Sequence, residues 1–328
     1  MVILIVLIVL LALCFDFTNG FHDTSNAIAT SVSTRALSPR VAVFMAGGMN
    51  LIGALTFTGV AKTIGGSIAD PLTIQHGMLV VLAAIIAAIV WNLFTWMMGI
   101  PSSSSHALIG GLSGAVVGAV GFHAIHYKGF ISIIEALVIS PIVALLLGYI
   151  IMWIFRLLFG SFSPHRVNRP FRSLQIASAA VQAFMHGTND AQKTMGIITF
   201  ALIAGGFQST MNIPFWVKLL CAVAMGAGTA TGGWRIIKTV GSKIIKIEPI
   251  NGFASDLTSS AIIFTFTLLK LPVSSTHVIS SAVMGTGAAK RFNQVHWGVA
   301  GRIVIAWVIT IPISGILAVL LVRLFLLF

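Results

Sequence analysis

The chain has 328 residues, of which 57% are hydrophobic and 8% are charged, and its mean hydropathy is +1.03. This composition excludes a soluble domain with an ordinary charged surface and indicates a polytopic membrane protein. The net charge of +12 would fit a nucleic-acid partner, but so little polar chain remains that we expect none. We interpret the basic residues as a signal of membrane orientation.

Apolar runs recur along the chain, and several reach the roughly 20 residues that a helix needs to cross a bilayer. The first run lacks a basic leader region and a cleavage site, so we expect a retained helix rather than a signal peptide. Runs near 107–120 and 278–288 are too short to predict full spans. The predicted fold is all-α, with about 10–12 transmembrane or re-entrant helices. An N-terminus on the outer side places most Lys and Arg residues on the cytoplasmic side.

One long polar stretch, residues 160–173, carries Arg166, Arg169 and Arg172. We interpret it as a cytoplasmic linker between a first half, residues 1–159, and a second half, residues 174–328.

Three motifs occur in both halves in the same order, which is strong evidence of internal duplication. The pairs are Asp23 and Asp190 in polar breaks of apolar runs, Lys62-Thr63-Ile64-Gly65 and Lys238-Thr239-Val240-Gly241, and the serine boxes Pro101-Ser102-Ser103-Ser104-Ser105-His106 and Pro272-Val273-Ser274-Ser275-Thr276-His277. With about five crossings in each half, the second half enters the membrane from the opposite side. The sequence therefore predicts two inverted-topology repeats, with discontinuous helices at the centre.

The first motif places a carboxylate at membrane depth in each half. A charge there costs about 2.5–3.5 kcal/mol on insertion scales, so a duplicated one indicates a site. Gly, Asn and Asp are poor helix formers, and we expect each helix to unwind locally around its motif. Carboxylate and amide groups suit a small cation or a proton, so we assign the coupling ion to Asp23, Asp190 and Asn189. A buried hydrogen-bond network without a ligand is the alternative.

The serine boxes begin at a proline and precede short Gly-rich apolar runs, which is the pattern of a helix start. Helix N-termini offer unpaired N–H groups and the positive end of the helix dipole, so two converging ends predict a site for phosphate or sulfate. Ordinary helix capping is the alternative. The predicted substrate-binding hydroxyls are Ser103, Ser104, Ser105, Ser274, Ser275 and Thr276.

His106 and His277 end the two boxes, and we consider a proton-linked role for both, with helix-packing hydrogen bonds as the alternative. Lys193 occupies the position that Asn26 holds in the first half, and both are candidates for substrate binding. An ammonium beside Asp190 would attract an incoming anion electrostatically, as a bound sodium ion would. A sodium ion is then not needed at this site, which favours proton coupling. A lysine that extends to the membrane interface is the alternative.

Together these residues resemble the inorganic phosphate transporter (Pit) family. The resemblance rests on Asn19-Gly20-Phe21-His22-Asp23 with Asn26, on Gly187-Thr188-Asn189-Asp190-Ala191-Gln192-Lys193 and on both serine boxes, and it spans both halves. It implies phosphate transport driven by an inward cation gradient, in a homodimer whose inverted repeats surround a central site. It also implies that Asp23, Asn26 and Asp190 belong to the cation and phosphate sites.

Sodium-coupled members of that family tend to have Asn where this chain has Lys193. The chain is therefore similar to the bacterial low-affinity branch, which is proton-coupled and resembles carriers of neutral metal–phosphate complexes.

The predicted function is secondary active import of inorganic phosphate across the cell inner (plasma) membrane, coupled to protons or alternatively to sodium. A divalent metal carried with phosphate and a sulfate permease of the same family are open alternatives. A passive anion channel is more distant, as is an intramembrane serine protease built on Ser113, whose counterpart is Met284. We expect no cofactor and no metal site at Cys14 or Cys221, and only phosphate, membrane lipids and a second copy as partners.

Overall fold

A computed structural model describes residues 1–327, and Phe328, the last residue of the predicted second half, lies outside them. The described residues form helices and no strand. The first half contains α1 (Val2–Ser33), α2 (Pro39–Ala54), α3 (Gly59–Ser67), α4 (Gly77–Met98), α5 (Ser104–Ala119) and α6 (Tyr127–Phe159). A 3-10 turn, Phe122–Ala124, lies between α5 and α6.

The second half repeats this order. It contains α7 (Pro164–Ala204), α8 (Phe215–Thr231), α9 (Trp234–Lys238), α10 (Pro249–Leu268), α11 (Ser275–Lys290) and α12 (Trp297–Phe325). A π-helical turn, Thr239–Lys243, continues α9, and a 3-10 turn, Phe292–Gln294, precedes α12. The prediction of an all-α polytopic fold is confirmed.

By length and composition, α1, α4, α6 and α12 can each cross a membrane. The pair α2 and α3 and the pair α8 and α9, bent by 70° and 60°, would raise the number of such spans from 4 to 6. Helices α5 and α11 have 16 residues each. At 1.5 Å per residue they are about 24 Å long, shorter than the roughly 30 Å hydrocarbon core.

The polar stretch between the halves is largely helical. Residues 160–163 connect α6 to α7, and residues 164–173 form the first turns of α7. Pro164 stands at the start of α7, where its missing N–H and fixed φ suit a helix. The cytoplasmic position of this stretch stays a prediction.

Helices α1 and α7, which carry the two Asp motifs, pack against each other in opposite directions. Asp16, near the middle of α1, accepts a 2.8 Å hydrogen bond from Thr194, toward the end of α7. At the end of α1, Thr34 donates a 2.7 Å hydrogen bond to Gln175, close to the start of α7. Antiparallel packing of matching helices is what inverted repeats require, and their opposite insertion into a membrane stays a prediction.

The two helices that begin at the serine boxes each pack on a helix of the other half. A Cβ added to Gly114 of α5 would overlap the backbone of Gly315 on α12, and one added to Gly285 of α11 would overlap Leu145 on α6. Small residues of this kind let membrane helices approach closely. The short helix that follows each serine box is therefore packed closely on the opposite half.

The repeated Lys-Thr motifs also hold matching contacts between the halves. Thr63 of α3 donates a 2.7 Å hydrogen bond to the carbonyl of Lys270, and Thr239 donates a 3.0 Å one to the carbonyl of Gly99. Lys270 and Gly99 follow α10 and α4 with φ of 61° and 65°. These left-handed residues turn the chain toward the proline of each serine box.

The expected unwinding of the Asp motifs is wrong, because α1 and α7 are helical throughout them. The glycines in these motifs serve close packing instead. A Cβ on Gly20 would overlap the backbone of Met225 on α8, and one on Gly187 would overlap Asn50 on α2. The discontinuities lie at the two bent pairs and at the short helices α5 and α11.

Candidate functional site

Asp23 is 1% exposed on α1, and side chains from both halves hold its carboxylate. Ser104, in the first turn of α5, donates to Oδ2, and Thr276, in the first turn of α11, donates to Oδ1 at 3.0 Å. His22 Nδ1 lies 2.6 Å from Oδ1. The structure therefore brings the first Asp motif together with both serine boxes.

Asp190 is fully buried on α7 and has a matching set of partners. Ser275, in the first turn of α11, donates a 2.7 Å hydrogen bond to its Oδ2. Lys193 Nζ pairs with Oδ1, and His186 Nε2 lies 3.0 Å from Oδ2. Each of the two carboxylates therefore has a histidine beside it, and Asp190 has a lysine as well.

Asn26 and Lys193 occupy the same position in the two halves and each donates to the opposite serine box. Asn26 Nδ2 lies 2.9 Å from Thr276 Oγ1, and Lys193 Nζ lies 2.5 Å from Ser105 Oγ. Lys193 also donates to the carbonyl of Val273 at 2.8 Å. At 1% exposure, Lys193 does not reach an interface, which excludes that alternative.

The other box residues begin the two short helices. Ser103 accepts a 3.1 Å hydrogen bond from the backbone N–H of His106, and Ser274 accepts one of 3.3 Å from that of His277. Both are N-caps, which satisfy an amide that the helix leaves unpaired. Helix capping, the alternative role for the serine boxes, therefore accounts for Ser103 and Ser274. The hydroxyls that follow in the two boxes contact the buried carboxylates and Lys193; they belong to Ser104, Ser105, Ser275 and Thr276.

Asn189 lies at the edge of this network. Its Nδ2 donates to Thr267 Oγ1 at 3.0 Å and to the carbonyl of Leu271 at 3.4 Å, and its Oδ1 accepts from the N–H of Val273 at 3.2 Å. Asn189 thus binds the segment that leads into the second serine box, directly beside Asp190.

His106 and His277 face each other edge-on, with ring centroids 4.3 Å apart. His106 Nδ1 lies 3.1 Å from the carbonyl of Trp307 on α12, and the ring of His277 stacks on the Trp307 indole at 3.9 Å. The Nε2 atoms of both histidines are buried and have no hydrogen-bond partner among residues 1–327.

Two amide atoms near Asp23 are also buried and unpaired within the described chain, namely Asn26 Oδ1 and Asn19 Nδ2. Buried polar atoms are nearly always hydrogen-bonded, so a group of unpaired ones requires an explanation such as a ligand. These two atoms supply one donor and one acceptor near Asp23.

Four polar residues that the structure buries were not among the predicted site residues. His22 and His186 contact Asp23 and Asp190, although their offsets in the two motifs differ. Asp16 accepts a hydrogen bond from Thr194, and Asp256 accepts bonds of 2.8 Å from Thr30 and from Ser178. Neither acid has an acidic counterpart at the matching position of the other half, so the repeated motifs did not reveal them. A carboxylate inside an apolar run was the signal that could have done so.

Ser113, the basis of the protease alternative, is bound to its own helix. Its Oγ donates to the carbonyl of Ile109 at 2.8 Å and to that of Gly110 at 3.1 Å. A serine nucleophile needs a base within hydrogen-bond reach, and among the described residues these carbonyls are its only partners.

Comparison with known proteins identifies the family. The profile of the phosphate transporter family matches residues 19–318, which include both Asp motifs and both serine boxes. The chain belongs to the phosphate transporter family. A probable low-affinity inorganic phosphate transporter of Bacillus subtilis (strain 168) is 58% identical over 97% of this chain and 96% of its own length. One of Rhizobium meliloti (strain 1021) is 47% identical over 97% and 95%.

A solved structure, that of a sodium-dependent phosphate transporter, has the same fold as this family member. The TM-score is 0.90 over 99% of both chains, at 24% sequence identity. Family membership confirms the resemblance that the sequence predicted, and it makes the chain a transport protein rather than an enzyme.

Proposed function

We propose that this protein imports inorganic phosphate by secondary active transport, with protons as the coupling ion. One observation carries the proposal: each buried carboxylate is held by the serine at the same position of its own half's box, Ser104 for Asp23 and Ser275 for Asp190. Contacts from Lys193 to Ser105 and from Thr276 to Asp23 join the two sets into one network. The names of its relatives support phosphate as the substrate.

Within this network the roles divide by chemistry. The hydroxyls of both boxes, the amide of Asn26 and the ammonium of Lys193 are donors, which suit the oxygens of a tetrahedral anion. Asp23 and Asp190 repel an anion unless a cation or a proton accompanies it. A negative-inside potential opposes each entering negative charge by about 2.3 kcal/mol per 100 mV, so phosphate needs at least an equal positive charge to enter.

Lys193 supports protons over sodium. Its ammonium pairs with Asp190 and so occupies the carboxylate that a second cation would need. Among residues 1–327, Asp23 has no lysine or arginine within the ion-pair distance, and it is the carboxylate that we assign to the proton. Coupling to sodium at Asp23 is the alternative, as is a neutral metal–phosphate complex whose divalent metal would face this carboxylate.

The test is uptake of labelled phosphate and labelled sulfate into proteoliposomes, with pH, sodium and magnesium varied independently. We expect an acid-outside pH step to drive phosphate in against its own gradient, without sodium. An absolute requirement for sodium would overturn the proton assignment. Preference for sulfate would identify a sulfate permease, and phosphate that equilibrates across the membrane but never accumulates against its gradient would identify a passive channel.

We further propose a multi-pass position in the plasma membrane and a homodimer. The apolar helices long enough to span a membrane support the first part. Cross-linking in native membranes tests the second.

A further inference from the structure

Two adjacent cavities lie on the face of the protein that the charge distribution predicts to be outside. The first, about 610 Å³, lies between α3 and the end of α10, and the second, about 430 Å³, lies between α3 and the start of α6. Thr63 and Ser67 line both. Neither cavity is lined by Asp23, Asp190 or a residue of the serine boxes.

The charged residues that line both cavities are lysines. Lys62 and Lys270 line the first and Lys128 lines the second, while no acidic residue lines either one among residues 1–327. The predicted topology places Lys62, Lys128, Lys218, Lys270 and Arg323 on the outer side, and the first, second and fourth of these line the two cavities. Lysines concentrated in a recess focus the electrostatic potential and raise the local concentration of anions.

Two of these cationic side chains are held over the first cavity. Lys270 packs its methylene stem against Gly59, where an added Cβ would collide with it, and its carbonyl accepts the hydrogen bond from Thr63. Lys62 Nζ lies 3.4 Å from Asn212 Oδ1. The first cavity is therefore bounded on two sides by Lys62 and Lys270, each of which contacts a neighbouring segment of the chain.

One residue, Asn189, connects the lining of both cavities with the central site. Thr267 lines the first cavity and Leu271 the second, and Asn189 Nδ2 donates to both. Asn189 Oδ1 accepts from the N–H of Val273, whose carbonyl accepts from Lys193. Asn189 thus separates the cavities from the ammonium next to Asp190.

We propose that these two cavities form an outer vestibule that binds a divalent oxyanion before it reaches the central site, with Asn189 as its floor. This proposal rests on the proposed import of phosphate. Lys62, Lys128 and Lys270 bind the anion as point charges. The vestibule accepts hydrogen phosphate and sulfate alike, and discrimination between them belongs to the central site.

The first experiment compares the triple variant Lys62→Gln, Lys128→Gln, Lys270→Gln with the wild type in proteoliposomes. At about 20 mM ionic strength we expect the KM for phosphate to rise about fivefold or more, with kcat unchanged. Added salt should raise the KM of the wild type and leave that of the triple variant nearly constant. Lys218→Gln removes a charge from the same predicted face but lines neither cavity, so it is the matched control.

An unchanged KM in the triple variant, or an equal change in Lys218→Gln, overturns the vestibule. The wild type in the same vesicles separates the two proposals, because its failure to take up phosphate counts against the import function instead.

If the triple variant fails to insert into the membrane, a second measurement on variants that keep the three lysines tests the proposal. Ser67→Cys, in a Cys14→Ser background, is labelled with a small anionic thiol reagent. We expect phosphate to slow labelling at residue 67 and not at Thr210→Cys, which is exposed on the loop before α8. Equal labelling with and without phosphate overturns the proposal.

Discussion

Lys193 of α7 donates a hydrogen bond to Ser105 of α5 across the two halves, with 2.5 Å between Nζ and Oγ. The same ammonium pairs with Asp190 and binds the carbonyl of Val273. A single buried cation therefore ties together the second Asp motif and the beginnings of both short helices.

Replacing Lys193 with Asn tests this arrangement, because Asn is what the first half has at that position. Removal of one partner of a buried ion pair costs about 3–5 kcal/mol, so we expect sodium-free uptake to fall by at least about tenfold. Sodium should restore part of the uptake by taking the place of the ammonium beside Asp190. Uptake by Lys193→Asn that is undiminished without sodium would contradict the assigned role.

Asp23→Asn should separate coupling from substrate exchange. The amide keeps the size of the side chain but cannot carry a proton in and release it, so we expect accumulation against a gradient to be lost. Exchange of internal for external labelled phosphate at equal concentrations should continue. Loss of both activities, in protein that inserts normally, would show that Asp23 is needed for substrate binding itself.

Ser104→Ala and Ser275→Ala form a matched pair, since each removes the hydroxyl that donates to its own half's carboxylate. A hydrogen bond to a charged group contributes about 1.5–3 kcal/mol, so we expect kcat/KM for phosphate to fall about 10–100-fold in both variants. Ser113→Ala is the control and should stay within about twofold, because this hydroxyl binds only its own helix. A pair that behaves like the control would remove the serine boxes from the site.

Gly20→Ala tests whether the glycine serves packing rather than unwinding. An added Cβ would overlap the backbone of Met225, and such overpacking costs about 1–3 kcal/mol. We therefore expect a lower melting temperature in detergent. Gly48→Ala is the control, since a Cβ there meets nothing within 4 Å, and it should be as stable as the wild type or more stable. Equal melting temperatures for the two variants would revive the idea of a flexible break.

The sequence was sufficient for the fold class and for most of the residues in the central network, because the Asp motifs and the serine boxes occur twice in one order. It did not predict which atoms meet. The bond from Thr276 to Asp23 joins positions that only the antiparallel packing of the halves brings together.

Two other misses have physical causes. Poor helix formers predicted unwinding at Gly20 and Gly187, but tertiary packing overrides local propensity where two backbones approach closely. Asp16 and Asp256 escaped notice because the matching positions in the other half, Ala183 and Ile85, are apolar.

The packing of each short helix on a helix of the other half has a consequence for biosynthesis. Because α5 rests on α12, the first serine box has no complete binding surface until the ribosome has made the last helix of the chain. Co-translational insertion therefore has to hold an unfinished first half in the bilayer while the second is translated. A nascent chain that stops before α12 carries every residue of the hydrogen-bonded network around Asp23 and Asp190 but lacks the helix on which α5 packs.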